Sequence, residues 1–189
     1  QTPIPQVEDG ATILTQDTDY ELSYVDNTNV GTATITITGK GNYNGTRTVT
    51  FNITKATLTV TADSGQTKVY GATDPTLTYT ITGFVNGDTE SSLDTGVSIA
   101  RATGEDVGTY TITPSGAVDS NYNISFVTAD FSITKAALTV TADSGQTKVY
   151  GATDPALTYT ITGFVNSDTE SSLDTGVSIA RATGEDVNT

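Results

Sequence analysis

Apolar and hydroxylated positions alternate along most of this chain. Leu58, Val60 and Ala62 are separated by threonines, and the same spacing recurs at Leu77, Tyr79 and Ile81, at Val97 and Ile99, at Tyr110 and Ile112, at Ile124 and Phe126, and at Phe131 and Ile133. A period of two puts successive side chains on opposite faces of an extended backbone, so each run predicts a strand with one face turned inward. Between the runs stand Asp63-Ser64-Gly65, Asp74-Pro75, Asn86-Gly87, Thr103-Gly104 and Ser115-Gly116. Each supplies a permissive φ or a side chain that bonds its own backbone, which predicts turns at short spacing. One stretch, Asp88-Thr89-Glu90-Ser91-Ser92-Leu93, predicts a helical turn or two, with Asp88 or Thr89 as N-cap and acids at the positive end of the dipole. The expected fold class is mostly β, in small antiparallel modules of sandwich or related type.

Self-similarity organises these strands. Ala56 to Val107 recurs at Ala136 to Val187 with a period of 80 residues, differing only at Thr57/Ala137, Thr76/Ala156 and Gly87/Ser167. Near-identity over that length implies duplication of a module, which suits a spacer or binding unit better than an active site. Weaker echoes link Asn29–Thr36 to Asp106–Thr113, Asn42-Tyr43-Asn44 to Asn121-Tyr122-Asn123, and Phe51–Ala56 to Phe131–Ala136. The expected organisation is a partial β module at 1–54 lacking its first strands, a complete module at 55–134, and a third at 135–189 that stops before its closing strands. Ile133-Thr134-Lys135-Ala136-Ala137-Leu138 joins two modules without Gly or Pro, which predicts stiff head-to-tail stacking in an elongated array. Residues 135–189 are expected to show inner-face side chains and unpaired strand edges, completed by further strands of a longer chain or by Val30 to Lys55 of a neighbour.

Composition narrows the function. The 189 residues include 22 Asp and Glu against 8 Lys and Arg, a net charge of −14, and no His, Cys, Met or Trp. So acidic a chain repels a phosphate backbone, and no nucleic acid is expected as a partner. Without imidazole or thiolate, the usual nucleophiles, bases and zinc, haem or iron–sulfur ligands are missing, and no enzyme is expected. Charged residues make up 16%, below the roughly 25% usual in soluble domains, and threonine fills much of the difference. Threonine is β-branched and suits the outer face of a pleated sheet. No apolar run approaches the roughly 20 residues of a bilayer span, so no membrane insertion is expected in this segment, and Gln1 opens no signal-peptide pattern. The chain reads as an interior fragment of a longer one.

An ordered set of motifs then brings a family into view. Lys-Ala-x-Leu-Thr-Val at 55–60, Val69-Tyr70-Gly71-Ala72-Thr73-Asp74-Pro75, Gly108-Thr109-Tyr110-Thr111-Ile112, Asn121-Tyr122 and Phe131-Ser132-Ile133-Thr134-Lys135 together resemble the MBG domain of the Tyr-Gly-x type. Such modules repeat in large bacterial surface proteins and adhesins. The first segment has no Tyr-Gly-x; its Thr18-Asp19-Tyr20 and Gly39-Lys40-Gly41-Asn42-Tyr43 are similar to another bacterial Ig-like surface repeat. The resemblance implies an extracellular, cell-surface setting and a role in adhesion or in extending an adhesive region from the envelope. It also implies that the fold is either Ig-like or a β-grasp relative of mucin-binding repeats, with Asp88–Leu93 as a shrunken helix.

Several residues invite a chemical reading, and each has a plainer one. Glu105/Asp106 and Asp88/Glu90 are the nearest thing to paired glycosidase acids, but they fall in turn-rich connections and are expected to lack aromatic or basic surroundings that would raise one pKa, so solvated loops are expected. Asp63, Asp74, Asp88, Asp94 and Asp106 offer oxygens for calcium, without EF-hand or nonapeptide spacing; no cofactor is expected, calcium being the sole candidate. Tyr79 and Tyr110 fall on inward positions. Tyr70 and Tyr150 precede Gly71 and Gly151, which predicts a packed corner with the hydroxyl bonded to main chain. Lys55 and Lys135 end closing strands, where an isopeptide bond is conceivable and a junction-packing lysine is expected. Asn44, Asn52 and Asn123 match the glycosylation pattern, which has little weight in a bacterial protein. Catalytic, cofactor-binding and metal sites are all expected to be none. The expected partners are neighbouring repeats or identical chains, then host glycan or surface protein.

Overall fold

A computed structural model describes residues 2–186. Val187, where the second copy of the repeat ends, and Asn188-Thr189 lie outside the described residues. The strands in chain order are β1 (Glu8–Asp9), β2 (Thr12–Ile13), β3 (Tyr20–Val25), β4 (Gly31–Gly39), β5 (Thr46–Ile53), β6 (Ala56–Ala62), β7 (Gln66–Val69), β8 (Tyr79–Thr82), β9 (Ser98–Arg101), β10 (Gly108–Ser115), β11 (Tyr122–Val127), β12 (Ala129–Thr134), β13 (Thr139–Ala142) and β14 (Tyr159–Thr162). Helical structure among the described residues amounts to two 3₁₀ turns, Glu90–Ser92 and Glu170–Ser172. The first falls in Asp88–Leu93, where a helical turn was expected, and the second in the equivalent stretch of the duplicate. Each is closed by a capping box, Thr89 with Ser92 and Thr169 with Ser172.

The protein is mostly β, built of several small sheets, of which two also carry a parallel pair. β3-β4-β5 is an antiparallel sheet, β1 pairs with β2, and β6 pairs antiparallel with β8. On its other edge β6 takes β11 in parallel, Ala56 opposite Tyr122 through Thr61 opposite Val127. β7 likewise takes β12 in parallel, Gln66 opposite Phe131 through Val69 opposite Thr134, in a sheet of order β7-β12-β10-β9. Alternation of side chains is the same in either direction, so the spacing of two is blind to strand direction. A parallel partner requires a long crossover, and residues 63–121 provide one.

Chain contacts divide the molecule into two compact units, Gln1–Asp63 with Thr78–Ala100 and Ile112–Ala129, and Ser64–Leu77 with Arg101–Thr111 and Asp130–Thr189. The border runs inside β9, β10 and β12. In the first unit the buried apolar residues are Tyr20, Ala33 and Ile35, then Leu58, Val60, Ala62, Ile112, Ala117 and Tyr122. In the second they are Phe131 and Ile133, with the buried Lys68 on the neighbouring strand. Full burial of each large apolar side chain contributes about 1.5–3 kcal/mol relative to exposure.

The duplicated sequence shows which features are local and which depend on partners. β13 and β14 pair in the register of β6 and β8: Thr139 opposite Thr162 repeats Thr59 opposite Thr82, and Ala142 opposite Tyr159 repeats Ala62 opposite Tyr79. Positive φ recurs at Gly71 and Gly151 (83° and 76°) and at Asn86 and Asn166 (56° and 52°). The opening half of the repeat therefore holds its own shape. Yet Gln66–Val69 is a strand paired with β12, while its identical twin 146–149 is not a strand; Ser98–Arg101 and 178–181 differ in the same way. Leu58 and Val60 are wholly buried, whereas Leu138 is 37% and Val140 47% exposed. β6 is flanked on both edges and β13 on one.

Candidate functional site

Tyr122 anchors the closing strand of the complete repeat. It opens β11 opposite Ala56, and its ring meets Phe84 edge-on with centroids 5.8 Å apart. Its hydroxyl donates to Asp88 Oδ2 at 2.7 Å and accepts the Val85 N–H at 3.0 Å. Burial pushes the phenol pKa up; the Val85 hydrogen bond opposes this and the Asp88 carboxylate adds to it. The backbone on either side is held equally firmly. Lys55 Nζ donates to the carbonyls of Asp119 at 3.0 Å and Tyr122 at 3.4 Å. Asp119 Oδ1 accepts the Asn121 N–H at 2.6 Å, and Asp94 Oδ2 accepts the Ser120 N–H at 2.8 Å. From the preceding segment, the Val30 N–H donates to Asn121 Oδ1 at 2.8 Å.

A four-residue ion cluster lies in the second unit. Lys68 Nζ, buried on β7, reaches Asp74 Oδ1 at 2.7 Å and pairs with Glu105. Arg101 grips Asp74 with Nε at 2.6 Å and Nη2 at 2.9 Å, and Nη2 also bonds Glu105 Oε1 at 2.8 Å. A bidentate fork of this kind fixes direction as well as charge. The guanidinium covers the rings of Tyr110 at 5.3 Å and Phe131 at 5.2 Å, and Nη1 donates to the carbonyls of Ala102 and Gly104. The Arg101 and Lys68 hydrogen bonds hold the Asp74 carboxyl at about 2. Glu105 is lowered too, by Lys68 first and Arg101 second. Glu105 therefore has two basic neighbours, Arg101 four residues earlier and Lys68 37 residues earlier, and they act against the raised pKa a general acid needs. The cluster recurs at Lys148, Asp154, Arg181 and Glu185 but is more open. Lys68 and Arg101 side chains are 4% and 7% exposed, their twins 20% and 34%.

The Tyr-Gly-x glycine marks the border with the next repeat. At Gly71, φ is +83°, and a Cβ placed there would meet Val165 Cγ2 at 2.6 Å; at Gly151 a Cβ would meet nothing within 4 Å. A cavity of about 270 Å³ is lined by Tyr70, Val107, Lys135, Ala136, Leu138, Gly163, Phe164, Val165, Asp168, Ser172 and Leu173.

The remaining candidates fall outside any shared centre. Asp88 serves Tyr122, Glu90 takes a hydrogen bond from the Tyr79 hydroxyl, and Asp63 Oδ1 accepts from Thr80 at 2.9 Å. The Asp106 carbonyl accepts from the Tyr110 hydroxyl at 2.8 Å. Tyr79 and Tyr110 are half-buried rather than core residues. Tyr70 joins the repeat through its backbone N–H to Thr134 O at 2.8 Å, and Tyr150 is 69% exposed, so the packed corner does not form in the second copy. Lys55 spends its amine on main-chain carbonyls, not on a side-chain amide. Among the described residues no three carboxylates gather to hold a metal ion, and no helix is long and apolar enough to cross a membrane. Asp119 and Arg101 escape sequence reading because Lys55 and Asp74, which they meet, lie 64 and 27 residues away in the chain. The signal open to view was the spacing of four between Arg101 and Glu105.

Comparison with known proteins returns no match among curated proteins and none among solved structures. The family model of the MBG domain (YGX type) matches residues 58–132 and again 138–189. These matches span more than half of the sequence and take in the Tyr122 anchor, the ion cluster and both Tyr-Gly-x glycines. The chain belongs to the MBG domain (YGX type) family.

Proposed function

We propose that this chain is a non-catalytic structural repeat, a stalk segment of a bacterial cell-surface adhesin that extends an adhesive region from the envelope. MBG repeats are typical of bacterial surface proteins, which supports the setting. The observation behind the mechanical part is the parallel pairing of β6 with β11. Tension enters the repeat at Ala56 and leaves β11 at Val127. In the ladder Ala56 stands opposite Tyr122 and Thr61 opposite Val127, so the two loaded ends lie at opposite ends of the pair. The load shears the strands, and the inter-strand hydrogen bonds resist together. An antiparallel pair loaded at one shared end would open bond by bond. Tyr122, locked by Asp88, Val85 and Lys55, adds a side-chain catch at the end where β11 starts.

Single-molecule stretching of the 189-residue chain between handles tests this. The complete repeat is expected to yield in one discrete event, releasing roughly 80 residues at about 3.4 Å each, about 250 Å after allowance for its folded span. Gradual lengthening without a discrete step would overturn the shear reading.

A further inference from the structure

The turn that follows β8 carries the Tyr122 anchor. Val85-Asn86-Gly87-Asp88 is closed by the Asp88 N–H on the Val85 carbonyl at 3.0 Å, with φ of 56° at Asn86 and 81° at Gly87. Two central residues with positive φ make a type I′ turn, for which asparagine followed by glycine is a favoured pair. Its outer residues are the two that hold the Tyr122 hydroxyl, Asp88 Oδ2 at 2.7 Å and the Val85 N–H at 3.0 Å. Its inner residues are exposed, and among the described residues neither the Asn86 side-chain amide nor the Gly87 N–H meets a hydrogen-bond partner. A Cβ added at Gly87 would meet nothing within 4 Å, so water reaches that side of the turn freely. The second copy repeats the turn, with the Asp168 N–H on the Val165 carbonyl at 2.8 Å and φ of 52° and 67°, but Ser167 stands where Gly87 does.

We propose that Asn86–Gly87 is a site of spontaneous modification by water, which loosens the Tyr122 anchor as the protein ages. The Gly87 nitrogen gives up its proton and bonds to Asn86 Cγ, the Cγ–Nδ2 bond breaks, and ammonia leaves with the proton. Water then opens the resulting cyclic imide at one carbonyl or the other, leaving aspartate or isoaspartate at position 86. No oxidant, cofactor or partner enters. The attack proceeds through openings of the turn, which one backbone hydrogen bond in an exposed loop allows. Glycine favours it, because its nitrogen is uncrowded and its backbone reaches the conformations that ring closure needs, whereas Ser167 has neither advantage. Both products act on the anchor. Aspartate sets a new negative charge two residues from Asp88, which raises the cost of keeping Asp88 ionised beside the phenol. Isoaspartate lengthens the main chain by one methylene inside the turn, so that the Val85 N–H and the Asp88 carboxylate no longer converge on one oxygen. The inference rests on this turn and the Tyr122 contacts and not on the stalk reading.

The test ages the full 189-residue chain in mildly alkaline buffer and follows it by peptide mass spectrometry, with electron-transfer fragmentation separating isoaspartate from aspartate. Asn44→Gln in every sample removes the other Asn-Gly pair, at 44–45, from the comparison. Asn86 is expected to lose its amide ahead of Asn166, at least about threefold faster on glycine's backbone freedom alone. Gly87→Ser writes the turn that the second copy already adopts, and should bring the Asn86 rate down to that of Asn166. In the aged chain, amide exchange along Tyr122–Val127 should run about tenfold faster than in the fresh one, the effect of losing a hydrogen bond to a charged group. The Gly87→Ser chain, aged for the same time, should keep its fresh exchange rates, which separates this site from general ageing. The inference fails if Asn86 keeps its amide as long as Asn166, or if Gly87→Ser leaves the Asn86 rate unchanged. It also fails if the aged parent exchanges along Tyr122–Val127 as the fresh chain does.

Discussion

Leu58 and Leu138 set up an experiment in which chemistry is constant and only cover differs. Both stand in the sequence Leu-Thr-Val-Thr-Ala-Asp, on strands paired in the same register with β8 or β14. Leu58 is wholly buried under its repeat, and Leu138 keeps 37% of its surface in water. Leu58→Ala should therefore cost about 2–5 kcal/mol, the range for a buried leucine whose cavity does not collapse. Leu138→Ala removes the same atoms from a site already wet, and should cost less than about 1 kcal/mol. Since the flanking residues are nearly identical, effects on the unfolded chain cancel in the comparison. Urea titration followed by circular dichroism reads the difference. With an m-value of about 1–3 kcal/mol per M, the Leu58 variant should lose on the order of 1 M in midpoint while the Leu138 variant stays near the parent. Equal losses, or a larger loss at Leu138, would refute the claim that strands from the closing half decide burial.

Two further outcomes follow from the ion cluster and the border glycine. Asp74 and Asp154 titrate at about 2 when folded, against an ordinary 3.8. Their contribution to stability is thus complete above about pH 4 and disappears as pH falls through 2; melting temperature should drop across that window, and Asp74→Asn should flatten the drop. Gly71→Ala and Gly151→Ala both force alanine into a left-handed backbone, at roughly 1–2 kcal/mol each. The first also drives a methyl into Val165, so thermal unfolding should show it to be the more damaging by about 1 kcal/mol or more, and equal damage would count against the contact.

Burial was legible where it depends on a short-range pattern. The alternation at Leu58, Val60 and Ala62, at Ile112, and at Phe131 and Ile133 marks residues that the fold does bury. Strand direction was not legible, because threonine and leucine alternate identically in either sense. The Tyr122 anchor was half visible: Asn121-Tyr122 stood out as a motif, but the Asp88 that receives its hydroxyl is 34 residues away. The echo of that motif at Asn42-Tyr43-Asn44 misleads, since Tyr43 lies in the turn between β4 and β5 and opens no strand. Gln146–Val149 shows the limit of local reading most sharply. Its letters equal those of β7, which pairs with β12, yet among the described residues they form no strand.

The parallel union of β6 with β11 also governs how such repeats can go wrong during synthesis. The opening half is made first and stands ready while some fifteen further residues, Val107 to Tyr122, are still to come. In an array of near-identical copies, the closing strand of any neighbour would fit that waiting half as well as its own. What favours the rightful partner is the shortness of its tether, which raises its local concentration to the millimolar range. Lengthening the Thr109–Asn121 connection would then erode pairing fidelity between neighbours before it altered any contact in the finished fold.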